Sequence, residues 1–537
     1  MSSKLLVFGL DGTDWNVLDP LIDAGLLPTF KSLKARSCWG PLRSTVPQIT
    51  PVAWTSSFTG VNPGRHGIFD FFKRFKGGYG LRLVSSKDNM HPTMFRTLSD
   101  AGKRVCALNI PFAYPPEPVN GILVSGLGSS SAGASFIYPP SERASLNDLF
   151  QGLAAYSLML RYGKRKQMRK GVMISTEALR RGSTSLLSER EWDLFLVVFD
   201  GTDRLQHRFW RFFDRQHPFY PGPHHPEASV IPDYYVLLDG ILKDLLERAG
   251  TDAAVMMYSD HGFGSTRRVF HLNRALEQAG FLRFRPGQKG LLHRVATRLR
   301  KGAAGMIANL GFGNLLWRIW NRANQKEWKS VVVDALDWEH TRAFASSSFH
   351  AGVRLNMCGR ESQGCVNPAD APRLLSEIRK AMMECRDPVT GELPFREAVP
   401  REEIYSGAHV EEAPDLVLVE ADGFVVRHGW HPEPFRGLTH QDVENEAEHR
   451  PYGIFSVADP RAVMGRCSRP LRIEDVTPTD FDILGVPIPL GLDGQSVLGG
   501  KASVPGIGPR APSDGSSVYT PEEEESIKRR LADLGYL

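Results

Sequence analysis

Asp203 and His207, in the segment VVFDGTDRLQHRFW, stand four residues apart, and Asp260 and His261 are adjacent in VMMYSDHGFGS. On a helix, that i,i+4 spacing puts both side chains on one face within reach of a single ion. Asp11 closes the apolar run Leu5–Leu10, ahead of a glycine that permits a tight turn, and His449 immediately precedes another apolar run, Ile454–Val457. Asp200, three residues before Asp203, is the second choice for its place. Thr50-Pro51, with Gly60 ten residues on, reads as a helix start with Thr50 as N-cap, so the hydroxyl would sit by backbone N–H groups and the positive end of the helix dipole. Such an end stabilises a phosphate as readily as it caps a helix, and a metal-bound hydroxyl there would be a nucleophile. Carboxylates and imidazoles at several strand ends, plus this hydroxyl, are the inventory of a two-metal phosphoryl site. The N,O donor set suits zinc, with manganese as the alternative. A covalent aspartyl-phosphate route would need a carboxylate where the chain has Gly9, and is set aside.

The elements that must position these groups are short apolar runs ending in Asp or Gly. They are Leu5–Leu10, Val105–Ile110, Leu194–Phe199, Ala254–Tyr258, Leu416–Val419 and Ile454–Val457. Runs of this kind, separated by helical patterns, read as buried parallel strands of an α/β fold. The fold class expected is therefore a doubly wound, mostly parallel sheet flanked by helices, with ligands bound beyond the strand ends. The formal charge of +5 over 537 residues is too dilute for a nucleic-acid partner. Six cysteines without a C-x-x-C pair exclude a zinc ribbon and leave reduced thiols as the expectation. The first residues lack a secretory signal pattern and no apolar run is long enough to span a bilayer, so the expected compartment is cytoplasmic.

The stretch from Gly280 to Asn324 breaks the strand series with a basic, helix-like pattern, and is read as a helical cap inserted at 272–340. Its arginines, interleaved with leucine, isoleucine and tryptophan, suit an anionic substrate or an anionic membrane surface, or else a solvated helix face. A second basic stretch, 161–170, reads as a solvated helix face. His217, His224 and His225 lie among prolines and glycines and read as exposed loop histidines. His440 rivals His449 but lacks the adjoining strand, and His428 and His431 are close enough in sequence to be mistaken for ligands. Residues 501–537 read as a linker followed by a helix. In that helix Thr520 is the N-cap, Pro521 opens the first turn, and Ile527, Leu531 and Leu534 fall on one face.

At these residues the sequence resembles the alkaline phosphatase superfamily, and within it the type I phosphodiesterase/nucleotide pyrophosphatase branch. The resemblance rests on Asp11-Gly12, Thr50, Thr59-Gly60, His66-Gly67-Ile68, Asp203-x-x-x-His207, Ser259-Asp260-His261-Gly262 and His449-Arg450-Pro451, and on the closing segment from Asp475. It implies one metal held by Asp11, Thr50, Asp260 and His261, and a second held by Asp203, His207 and His449. Thr50 would attack phosphorus in line, and water would hydrolyse the resulting phospho-threonine. The implied substrate is a small-molecule phosphate monoester or diester. The alternatives are a phosphomutase of the same superfamily, or a binding protein that works through the cap. Asp70 and Phe71 stand where nucleotide pyrophosphatases carry an asparagine, a departure that tells against nucleotide diesters. No C/S-x-P-x-R segment occurs at Thr50, which tells against sulfate esters. Because Asp11 and His449 must meet, residues 1–500 are expected to form one catalytic unit around the inserted cap.

Overall fold

The computed structural model describes residues 4–129, 135–147, 150, 152–153, 165–285, 335–347, 350–429, 431–439, 446–506, 508, 510 and 517–533. Its centre is a ten-stranded sheet. The strand order is Gly465–Arg466, Cys38–Arg43, Tyr452–Ala458, Ala254–Tyr258, Leu5–Leu10, Leu194–Phe199, Val105–Ile110, Gly121–Ser125 and Ile137–Tyr138, with Leu471–Arg472 also paired to Cys38–Arg43. The five strands from Ala254–Tyr258 to Gly121–Ser125 run parallel. Four of the strands, Leu5–Leu10, Leu194–Phe199, Val105–Ile110 and Ala254–Tyr258, are buried along their whole length. Helices on the two faces bury two apolar clusters, one around Phe8, Phe30 and Phe199 and one around Trp54, Phe95 and Tyr258.

Two of the six runs depart from the parallel expectation. Tyr452–Ala458 lies in the central sheet but is antiparallel to both neighbours. Leu416–Glu420 belongs to a separate four-stranded antiparallel sheet. Continuous apolar character reports that both faces are covered, and carries no information on strand direction. That smaller sheet and a three-stranded one formed by Arg268–His271, Phe424–Arg427 and Phe435–Gly437 enclose a third core around Phe270, Trp338, Phe344 and Phe424. Most of the expected cap, 286–334, lies outside the described residues. Its described ends contribute Leu272, Phe281, Phe284 and Trp338 to the third core.

Cys38 and Cys467, 429 residues apart, form a disulfide with a Cα–Cα distance of 5.3 Å, in place of the reduced thiols expected. A pairing across such a separation leaves no local sequence signal. Among the described residues, no helix is long and apolar enough to cross a membrane. The C-terminal helix Pro521–Asp533 docks as its pattern suggests: Ile527 and Leu531 are buried, and Leu534 lies outside the described residues. Thr520 and Glu523 form a reciprocal cap, each side chain accepting from the other's amide. In the second basic stretch, Arg165 faces Glu227 and Glu446 and Arg169 faces Asp233, so two of its described cations are paired, while Lys166 and Lys170 are exposed.

Gly9, in the first strand, lets the helix Thr50–Thr59 approach the sheet. A Cβ there would lie 3.0 Å from the Trp54 ring and 3.1 Å from Val198. Gly9→Ala is therefore expected to cost about 1–3 kcal/mol by overpacking, read as a lowered denaturant midpoint. An unchanged midpoint would show that the Trp54 contact tolerates a methyl group.

Candidate active site

Three strand ends and one helix start deliver the side chains. Asp11 follows Leu5–Leu10, Asp260 and His261 follow Ala254–Tyr258, and Asp203 and His207 lie one turn apart on the helix Gly201–Phe213, which follows Leu194–Phe199. His449 arrives on the short strand Ala447–Arg450, antiparallel to Gly262–Ser265, with Phe263 opposite His449. This pairing stacks the His261 and His449 rings at 3.7 Å. All six of these residues and Thr50 are buried.

The polar atoms converge in two overlapping groups. Asp203 Oδ1 lies 3.4 Å from His207 Nε2 and 3.2 Å from His449 Nε2. His261 Nε2 lies 3.4 Å from Asp11 Oδ1 and 3.3 Å from Asp260 Oδ2. His261 is also within ligand reach of Asp203 and His449, so it stands between the groups. Each imidazole faces a main-chain carbonyl with its other nitrogen: His261 Nδ1 faces Gly262 at 3.0 Å, His207 Nδ1 faces Ala447 at 3.1 Å and His449 Nδ1 faces Gln48 at 2.9 Å. A carbonyl only accepts, so each Nδ1 carries the proton and each Nε2 turns its lone pair inward. The Nε2 atoms of His207 and His449 meet at 3.2 Å, an arrangement relieved by a cation or a shared proton. Asp11 Oδ1, Asp260 Oδ2, His261 Nε2 and Thr50 Oγ1 are buried with no hydrogen-bond partner among the described residues. Orphaned acceptors of this kind fit divalent cations.

Electrostatics divide the carboxylates of the cluster. Burial, reinforced by Asp260, Asp203 and Asp200, raises the Asp11 carboxyl well above its ordinary range. Burial raises Asp260 likewise, against the Gly12 amide bonded to it. Asp203 is also buried, but positive charge on the facing His207 and His449 rings overcomes that effect and holds it well below its usual value, a role that falls to a bound cation when the rings are neutral. Burial, then the neighbouring His449, depresses His261.

Thr50 opens the helix Thr50–Thr59 as its first residue, and Ile49, not Thr50, occupies the cap position. Val52 and Ala53 both donate their amides to the Ile49 carbonyl, at 3.0 Å each, and Pro51 has no N–H. The helix end therefore offers fewer free donors than the Thr-Pro pattern suggests. Two contacts bracket Thr50 against the cluster: Gln48 accepts from His449, and Trp54, one turn on, donates to Asp11 Oδ2 at 3.3 Å. Gly60 ends the helix in the left-handed conformation, as expected, and Asp14 caps the helix that follows it, accepting from Asn16 at 2.7 Å.

Asp200 is turned away and ion-paired with Arg204. His217 is buried, contrary to the expected exposed loop: its Nε2 faces the Glu446 carbonyl at 3.1 Å and helps hold the strand that carries His449. His225 stacks on Phe212, and His224 is exposed. His431 stacks on His271, outside the cluster, and His440 lies outside the described residues. Sequence reasoning missed the supporting shell. Trp54 holds Asp11, Gln206 donates to the Gly12 carbonyl at 2.6 Å, and Phe263 packs edge-on to His207 at 4.8 Å. Trp54 follows Thr50 by one turn and Gln206 is next to His207, a spacing that could have flagged both.

Residues 5–451 match the type I phosphodiesterase / nucleotide pyrophosphatase family, and the chain belongs to it. The family makes the chain a phosphoester hydrolase, built on an alkaline phosphatase-like fold. Among solved structures, the chain is similar to phosphonoacetate hydrolase from Sinorhizobium meliloti 1021 in complex with phosphonoformate. The TM-score is 0.54 and the identity 17%, over 90% of this chain and 95% of that one. Murine ectonucleotide pyrophosphatase / phosphodiesterase 5, an inactive variant in complex with AMP, gives a TM-score of 0.48 and 13% identity over the same shares. No curated protein sequence matches the chain.

His66, of the His66-Gly67-Ile68 motif, is fully buried and supports the Thr50 helix from behind. Its Nδ1 accepts from the Ile68 amide at 3.1 Å, so its Nε2–H donates to Ser56 Oγ, 2.9 Å away. Burial lowers its pKa to about 3. The unfolded chain takes up this proton near pH 6.5 and the folded one does not, so His66 lowers stability progressively as pH falls below 6.5. His66→Gln should remove about 2 kcal/mol of the stability lost between pH 7 and 5, measured by denaturant titration at both pH values. Equal pH sensitivity in both proteins would contradict a neutral His66.

Proposed function

We propose that the chain hydrolyses a small-molecule phosphate ester, monoester or diester, through a Thr50 phospho-enzyme in a site that holds two divalent metal ions, zinc or alternatively manganese. The observation that carries this reading is the inward convergence of three Nε2 atoms and three carboxylates in one buried space, beside a helix that opens on Thr50, whose hydroxyl is buried without a partner among the described residues, and reaches Asp11 through Trp54. In this reading Asp11, Thr50, Asp260 and His261 hold one ion, and Asp203, His207 and His449 hold the other. The bound ions would supply Lewis acidity, lowering the pKa of the Thr50 hydroxyl and offsetting charge on the phosphoryl oxygens.

Thr50 Oγ1 bonds to phosphorus as the bond to the leaving alcohol breaks, and water then cleaves the Thr50–phosphorus bond to release phosphate or a phosphomonoester. Trp54 fixes the Asp11 carboxylate, and the three carbonyl-anchored imidazoles keep their protons at Nδ1. Residues 1–500 act as one catalytic unit, because Asp11 and His449 contribute to the same space.

Thr50→Ala should lower kcat/KM for p-nitrophenyl phosphate or its diester by about 10³-fold or more, with an unchanged denaturation profile. In wild type quenched with substrate, mass spectrometry should find phosphate on Thr50. Undiminished turnover in the variant would refute the nucleophile.

A further inference from the structure

A cavity of about 790 Å³ opens between the hairpin Phe72–Arg74/Leu81–Leu83 and the third core, and none of the residues of the Asp–His cluster lines it. The hairpin is anchored across the gap: Tyr79 stacks on Trp338 at 3.7 Å and donates to Asn356 Oδ1 at 2.7 Å. Most cations on the cavity wall are matched. Lys73 pairs with Glu412 at 2.8 Å, Arg82 with Asp88, Arg354 with Glu361 at 2.8 Å, and Arg360 with both Glu361 and Asp415.

Two are not: among the described residues no carboxylate lies within ion-pair distance of the exposed Lys76 or of Arg74, which is the less exposed of the two. Its guanidinium donates to the carbonyls of Tyr79, at 2.9 Å, and Ser346, at 3.1 Å, and lies 5.4 Å from the Phe344 ring centre. Carbonyls and a ring solvate a guanidinium without neutralising it, and enclosing such a charge without a counter-ion is costly. Burial accordingly pulls Arg74 down to about 10.

Beside Arg74, Ser346 Oγ and His350 Nδ1 are both buried without a hydrogen-bond partner among the described residues. They meet over Gly352, where a Cβ would fall 2.5 Å from Ser346 Oγ and 2.7 Å from the His350 ring. His350 is 5% exposed, and its Nε2 lies 3.9 Å from Asp70 Oδ2. A cation with no direct ion-pair partner, offset only at longer range by Glu361 and Asp70, shares one cavity wall with an unused hydroxyl and an unused ring nitrogen, a set complementary to an oxyanion.

We propose that this cavity binds an oxyanion, a carboxylate or phosphate group, ion-paired with Arg74 and hydrogen-bonded by Ser346 and His350. The group is carried either by the leaving alcohol of the substrate or by a separate small anion.

Calorimetric titration of inorganic sulfate into the metal-loaded protein tests the site directly. Arg74→Met should weaken sulfate binding at this site by about tenfold or more, and Ser346→Ala by about threefold. Ser346→Ala removes one unpartnered hydroxyl, so the test survives if Arg74→Met fails to fold. No sulfate binding by wild type, or wild-type affinity in both variants, would overturn the proposal. Kinetics then separate the two sources. If the anion belongs to the substrate, Arg74→Met lowers kcat/KM for 3-phosphoglycerate at least about tenfold more than for p-nitrophenyl phosphate. Equal effects on the two esters, together with lost sulfate binding, assign the site to a separate anion. Absence of turnover of either ester by wild type would refute the phospho-threonine reading and leave the sulfate titration to decide the cavity.

Discussion

Three imidazole Nδ1–H groups donate to main-chain carbonyls, and the rest of the site depends on those bonds. Gly262, Ala447 and Gln48 accept from His261, His207 and His449. Because each acceptor is backbone, ring orientation is set by the path of the chain and not by another mobile side chain. Three Nε2 lone pairs are thereby turned into a space already occupied by three carboxylates. Such a concentration of donors is costly in a buried site until cations neutralise it. The raised carboxyls of Asp11 and Asp260 and the depressed His261 express that cost.

The fold supplies those carbonyls by joining distant parts of the chain. The parallel strands Leu5–Leu10, Leu194–Phe199 and Ala254–Tyr258 end side by side, which brings Asp11, Asp203 and Asp260 together. The antiparallel pairing of Gly262–Ser265 with Ala447–Arg450 then fixes His449 against His261 and presents the Ala447 carbonyl to His207. Gly12 sits at the junction: its amide donates to Asp260 and its carbonyl accepts from Gln206. A Cβ there would fall 3.2 Å from the His261 ring, at a positive φ of 66°. Glycine is required at that point both by the backbone angle and by the approach of the imidazole.

The clustered carboxylates and imidazoles were legible in the sequence because each lies beside an apolar run or one helical turn from another candidate, and Thr50 because Thr-Pro marks a helix start; all of these signals are local. Four of the six strand runs coincide with strands of the sheet's parallel core for the same reason. Long-range facts left no such trace. The antiparallel direction of Tyr452–Ala458, the transfer of Leu416–Glu420 to a second sheet and the Cys38–Cys467 pairing each depend on what the segment meets after folding. The burial of His217 depends on Glu446, far along the chain, where a loop rich in proline and glycine suggested exposure. The Arg74 cavity was likewise invisible, since its wall is assembled from the hairpin near residue 74 and the loop near residue 346.

The central claim is that these side chains form a two-ion site, and anomalous diffraction from crystals of the metal-loaded protein tests it most directly. The account expects two peaks about 3.5–4 Å apart, one bounded by Asp11, Thr50, Asp260 and His261 and the other by Asp203, His207 and His449. A single peak, or peaks away from these residues in a fully loaded crystal, would contradict it.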